Sequence, residues 1–328
     1  MSDQTPEAIA RPLGDQPGGV PALVVPVVRR PSLRERWLSR DTLAAYVFLA
    51  PALIHFLIFF LGLVVISLGL SFMSWDLFSP PKFIGLENYR RLLFDDPDFW
   101  PTFWRTAYYV VLVIPTSVAA ELALALAVNA RLRAIKFFRA TYFIPVVASA
   151  VAVALVWGWI LNTQSGILNA FLNFFGLGPF DWLGSPRLAM PSVALVQVWR
   201  GLGEGMIIFL AGLQAIPQYL YEAAELDGAG RWRKFWSVTW PLLSPTTFFV
   251  TVLEVIGSFQ VFDMIYLLTH GGPAQATTVY NFELYQEAFQ NFRMGYAAAM
   301  TWILFVVIGV LTLVQFRVLN RRVQYELG

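Results

Sequence analysis

Tyr221-Glu222-Ala223-Ala224-Glu225-Leu226-Asp227-Gly228-Ala229-Gly230, running on through Arg231, Arg233 and Lys234 to Val238-Thr239-Trp240-Pro241, is a polar, helix-prone stretch set between two long apolar runs. Pro217 suits the first turn of a short helix, where its missing N–H leaves no hydrogen bond unmade. Gly228 and Gly230 suit its end, because glycine takes the left-handed cap conformation without a Cβ clash. Pro241 marks the start of the next apolar run. The pattern predicts a short helix, a tight turn and a second amphipathic helix, all outside a bilayer. Propensity alone also allows a plain connecting loop.

The rest of the chain supplies the bilayer. Hydrophobic residues make up 57% of it and charged residues 13%, with a mean hydropathy of +0.60. Soluble domains carry about 25% charged residues, so the composition is that of an integral membrane protein. A net charge of +2 gives no electrostatic reason to expect a nucleic-acid partner. With no cysteine, disulfides, thiol catalysis and Cys-based zinc sites are excluded. His55 and His270 have no neighbour at metal-ligand spacing, and no metal site is expected. No nucleophile, base and metal constellation marks a membrane enzyme, so no catalytic residue is assigned. Lys82, Lys136 and Lys234 are each followed by Phe, which leaves no Gly-Lys-Ser/Thr phosphate loop. Energy for any active process must come from another chain.

Six runs are apolar for long enough to cross about 30 Å of hydrocarbon: Leu43–Phe72, Trp104–Val128, Ala140–Leu161, Ala189–Leu213, Leu242–Leu268 and Tyr296–Leu319. The expected fold is all-α, a polytopic membrane domain over 42–320. A Pro- and Gly-rich basic tail over 1–41, largely disordered, precedes it, and a short tail over 321–328 follows. Placing both tails in the cytoplasm puts sixteen Lys and Arg inside and six outside, with Arg200 within a span. The positive-inside rule favours that orientation. It also turns the loop 215–241 to the cytoplasm. Trp75, Trp100, Trp104 and Trp182 then sit as interfacial anchors.

Glu222-Ala223-Ala224, three residues, Gly228, nine residues, then Val238-x-Trp240-Pro241 closely resembles the Glu-Ala-Ala loop of membrane subunits of binding-protein-dependent ABC importers. Phe83-Ile84-Gly85-Leu86-Glu87-Asn88-Tyr89, Arg139-x-x-Tyr142-Phe143-Ile144-Pro145, and Phe262-Asp263-Met264-Ile265-Tyr266 with Leu268-Thr269-His270-Gly271-Gly272-Pro273 resemble segments of the carbohydrate permeases of that family. Those permeases handle maltose, trehalose, related oligosaccharides and glycerol phosphate. The resemblance implies the type I importer permease fold. It implies a second, related permease chain in a heterodimer, two cytoplasmic ATPase subunits that bind the ATP and Mg, and an extracytoplasmic sugar-binding protein. No cofactor is implied for this chain, whose setting would be the cytoplasmic membrane of a bacterium or archaeon. It also implies that Glu222, Ala223, Ala224, Asp227, Gly228 and Pro241 couple the ATPases to alternating access.

A substrate site is sought among ionisable groups inside the spans, which line cavities or pair internally because lipid rejects them. Gln197, Arg200, Gly201 and Glu204 fall at i, i+3, i+4 and i+7, one helical stripe. Glu254, Gly257, Ser258 and Val261 repeat that spacing. With Trp199 beside them, these residues offer the acceptors, donors and aromatic face a sugar needs. The resemblance places the sugar of maltose-type permeases against the same stretches, although Glu204, Glu254, Ser258 and Val261 depart from that pattern. Gln197, Trp199, Arg200, Gly201, Glu204, Glu254 and Ser258 are thus the candidate substrate residues. The alternative for them is structural, an Arg200–Glu204 pair with Glu254 bonded within the bundle. Glu121 reads as structural. An ion-coupled secondary transporter would use the same carboxylates but leaves the polar helix–turn–helix without a task, and a permease for glycerol phosphate or another non-sugar solute remains the other alternative.

Overall fold

The computed structural model describes residues 40–129 and 135–319. The tail expected over 1–41 lies outside the described residues up to position 39, as does the tail 321–328. The chain divides into two compact units, Met1–Val65 and Ile66–Gly328. The first holds a helix that starts at Arg40 and passes through a π turn at Leu57–Gly62. The apolar run Ala44–Ser71, which crosses the boundary between the units, is 28 residues long with mean hydropathy 2.7. At about 1.5 Å per residue it exceeds the hydrocarbon thickness, so it must tilt or protrude.

In the second unit, Phe99–Asn129, Ala189–Ala215 and Met294–Arg317 are unbroken helices long and apolar enough to cross a membrane. Two more candidates are bent pairs, Phe137–Val147 with Ala150–Ile160 at 101° and Arg231–Leu242 with Ser244–Phe259 at 66°. With each pair counted as one span, the described residues hold six.

The bends were not expected. In the third span Pro145 removes a ladder donor, and the chain leaves the helix at Ser149 with an extended ψ of 134°. In the fifth, Pro241 and Pro245 stand four residues apart astride Leu243, where two donors are lost from one turn. The fifth helix also stops at Phe259 rather than continuing to Leu268. Gln260–Phe262 interrupts it, and a separate short helix runs over Asp263–Leu268.

The fourth span is the hub, because its small residues admit backbones and side chains from three neighbours. A Cβ at Gly203 would lie 2.4 Å from the Tyr142 carbonyl, and one at Gly205 would lie 2.0 Å from the Glu121 carboxyl carbon. On the fifth span Leu243 and Thr246 close on Gly212 in the same way. Two apolar clusters fill the space between. One gathers Tyr109, Val193, Met264 and Ile265, the other Leu122, Met206, Phe209 and Leu243.

The loops at the Asn88 end of the bundle are stapled by their own polar groups. Asn88 Nδ2 donates to the carbonyls of Ser71 and Met73 at 2.9 Å, beside a two-residue ribbon of Met73–Ser74 against Lys82–Phe83. In the Gly271-Gly272-Pro273 turn, Thr277 Oγ1 donates to the Gly272 carbonyl at 2.7 Å and Thr278 Oγ1 to that of Gly271 at 3.1 Å. The motifs quoted from these loops hold the ends of spans in place.

Candidate functional site

Two features stand out, a polar cavity inside the bundle and a helical elbow at one end of it. The cavity, of about 310 Å³, lies between the second, fourth and fifth spans. Its polar wall is Ser117, Gln197, Glu204, Glu254 and Ser258, and Gly201 and Gly257 open onto it. A Cβ on either glycine would meet nothing within 4 Å. Five of the candidate substrate residues, Gln197, Gly201, Glu204, Glu254 and Ser258, therefore share one space. Ser258 is 5% exposed, and neither its hydroxyl nor Gln197 Oε1 has a hydrogen-bond partner. Buried polar groups left in that condition favour a ligand or water that would satisfy them.

The other two candidates are elsewhere, and helical phase explains it. Trp199 is turned about 200° round the helix from Gln197, and its ring packs against Trp157 with centroids 5.4 Å apart. Arg200 Nη1 donates to Asp263 Oδ2 at 2.5 Å. The expected alternative pair, Arg200 with Glu204, is not formed; Arg200 reaches a different helix. That leaves the cavity wall without a basic side chain among the described residues.

One cavity group, Ser117, went unassigned in the sequence, and Glu121, read there as structural, lies near it. Ser117 lines the wall, and Glu121, fully buried one turn along the same face, sits behind Gly205 next to Glu254. Their i, i+4 spacing in an otherwise apolar span was the available signal.

The elbow follows the fourth span. Pro217, at φ −62°, is the residue before the helix Gln218–Leu226 rather than in its first turn. Gly228 ends that helix at φ +76°. Its N–H donates to the Glu225 carbonyl at 3.0 Å, and that of Ala229 to Ala224 at 2.9 Å. This is the double-bonded left-handed cap that glycine makes without strain. Gly230 differs from expectation. It is extended, φ −68° and ψ 171°, and precedes the next helix, Arg231–Lys234.

The two arms are tied by Lys234 Nζ to Glu225 at 2.5 Å and by Tyr221 to Thr239 at 3.1 Å. Leu220, Tyr221, Phe235 and Val238 seat the elbow on the cluster around Leu213 and Ile216. Its other face is bare. Glu222, Ala223, Asp227 and Gly228 are exposed, and Leu226 shows 91% of its surface. Pro241, by contrast, is half-buried at the bend.

At the opposite end of the bundle, burial and the carboxylates of Glu287, Asp98 and Asp96 push Glu283 up to about 7, with Arg105 opposing.

Residues 99–325 match the family model described as binding-protein-dependent transport system inner membrane component. The probable ABC transporter permease YesP of Bacillus subtilis is 37% identical, across 89% of this chain and 96% of that protein. The sn-glycerol-3-phosphate transport system permease UgpA of Salmonella typhimurium is 33% identical, across 90% and 99%. Among solved structures, a bacterial ABC transporter that imports the acidic polysaccharide alginate superposes with a TM-score of 0.76. It is 26% identical and covers 86% of this chain and 96% of its own.

Proposed function

The chain belongs to the inner membrane components of binding-protein-dependent transport systems and is an ABC importer permease, a transport subunit rather than an enzyme; we propose that it carries a sugar through the cavity between its second, fourth and fifth spans. The observation that carries this reading is the convergence of both polar stripes on that one cavity, with buried acceptors left unpartnered. A sugar's hydroxyls would donate to Glu204, Glu254 and Gln197 Oε1, and bonds to charged groups contribute about 1.5–3 kcal/mol each.

We place the elbow in the cytoplasm, as the charge count favours, with both termini on the same side. There the bare face of Gln218–Leu226 would seat in an ATPase subunit, with Glu222, Ala223, Ala224, Asp227 and Gly228 at the contact and the bend at Pro241 passing movement to the fifth span. A second permease chain would complete the pore, two ATPases would bind the ATP and Mg, and a binding protein would deliver the sugar. The alginate transporter has been solved in complex with an alginate pentasaccharide-bound periplasmic protein, which supports the last of these.

Alternating access then requires that cargo bind the two pore conformations with different affinity. ATP-dependent uptake of sugar into vesicles holding the full complex tests the reading. Uptake that followed an imposed proton or sodium gradient instead, without ATP, would overturn it.

A further inference from the structure

We infer that the cavity admits an uncharged, hydroxyl-rich cargo and turns back an anionic one, with Glu204 and Glu254 as the specificity-determining groups. This deepens the reading above and rests on it, since it assumes that the cargo passes through the cavity.

The wall carries two carboxyl groups and no cationic side chain among the described residues. When ionised, Glu204 and Glu254 can only accept, Gln197 Oε1 and Ser258 Oγ lack partners, and Ser258 is 5% exposed. Glu121 adds a third carboxyl group behind Gly205. The one cation on the fourth-span stripe, Arg200, is committed to Asp263 at 2.5 Å. No Lys, Arg or His lines the space among the described residues.

A sugar hydroxyl meets such a wall well, because it can donate to the carboxylates and to Gln197 Oε1, which has no partner. A phosphate or a carboxylate brings further acceptors and a like charge. It would sit beside two carboxylates, the exposed Glu204 and the half-buried Glu254, and like charges repel. Sites that hold phosphate or carboxylate use Arg, Lys or backbone N–H groups. This wall offers neither Arg nor Lys among the described residues. The phosphate and acidic-polysaccharide cargoes named for the relatives are thus the wrong charge for this pore.

The test uses the complete transporter, binding protein included, in vesicles loaded with ATP. Maltose, trehalose and cellobiose are compared with their uronate derivatives and with glycerol 3-phosphate, and binding of each to the binding protein is measured separately by calorimetry. Uptake is expected for an uncharged probe, with its uronate carried at least tenfold more slowly after correction for occupancy of the binding protein. The double variant Glu204→Gln/Glu254→Gln should narrow that gap at least tenfold. Should it fail to assemble, Gly201→Lys adds a cation in open space and should also narrow the gap.

Equal uptake of a neutral sugar and its uronate by the native transporter would overturn the filter and leave the importer reading standing. So would an unchanged gap in an assembled variant. ATP-dependent uptake of none of the probes would instead overturn the sugar reading itself.

Discussion

The elbow at Gln218–Leu226 and the cavity between the spans lie close in sequence, yet they are built in opposite ways. No residue of the elbow helix is buried, and Leu226 is 91% exposed. Its polar groups are satisfied locally, by the glycine cap, the Lys234–Glu225 pair and the Tyr221–Thr239 bond. In the cavity Gln197 Oε1 and Ser258 Oγ are buried and have no partner. The first is a rigid part that presents a face, and the second is a space that presents unmet bonds. A part of the first kind acts by docking and moving as a unit. A space of the second kind acts by holding something that makes up the missing bonds.

Two glycine substitutions separate these modes. Gly228→Asp carries the largest expected effect, loss of ATP-driven uptake with little loss of assembled protein. Positive φ costs a side chain about 1 kcal/mol or more, yet a Cβ there meets nothing within 4 Å. The damage is thus expected at the docked face rather than in the fold, and uptake together with sugar-stimulated ATP hydrolysis measures it. Normal values of both would remove the elbow from the mechanism.

Gly205→Ala should do the reverse. Its Cβ would fall 2.0 Å from the Glu121 carboxyl carbon, and overpacking of this kind costs about 1–3 kcal/mol. Thermal unfolding in detergent should shift down by several degrees, while the transporter that does assemble still couples ATP hydrolysis to uptake. An unchanged melting point would mean that the second and fourth spans are not in this contact.

The smallest effect is expected far from both features, at Glu283. Its carboxyl is raised from 4.5 to about 7 by burial and by the neighbouring Glu287, Asp98 and Asp96. The folded form therefore binds the proton more tightly than the unfolded form. The stability this contributes is complete below about pH 4.5 and is lost as pH rises through 7. Glu283→Gln should flatten that slope and raise the melting point at pH 8 relative to the native chain. Parallel stability curves for the two proteins would contradict it.

Local physics made the elbow legible in the sequence. Gly228 at its cap, the helix formers before it and the basic residues after it each act within a turn or two. The spans were legible because length and apolarity suffice. Their interruptions were not. Pro145 and Ser149 sit inside an apolar run, and Gln260–Phe262 is no more polar than its surroundings, so hydropathy passed over both breaks. The cavity was legible in part. Spacing along one helix grouped Gln197, Gly201 and Glu204, but it could not show that Arg200 reaches Asp263, 63 residues away and on another helix. Nor could it bring Ser117 of the second span to the same space. Contacts between helices depend on how glycines such as Gly203 and Gly205 set the approach, and no single-helix pattern records that.

The central claim is that this chain itself holds the cargo, and uptake against sugar concentration by Glu254→Gln, normalised to assembled complex, tests it most directly. Loss of a charge-assisted bond of about 1.5–3 kcal/mol should lower transport efficiency, the ratio of maximal rate to half-saturating concentration, by roughly ten- to hundred-fold. The binding protein, a separate chain, should keep its affinity for the same sugar. An unchanged half-saturation and maximal rate per complex would contradict the claim and move the cargo site to the partner permease.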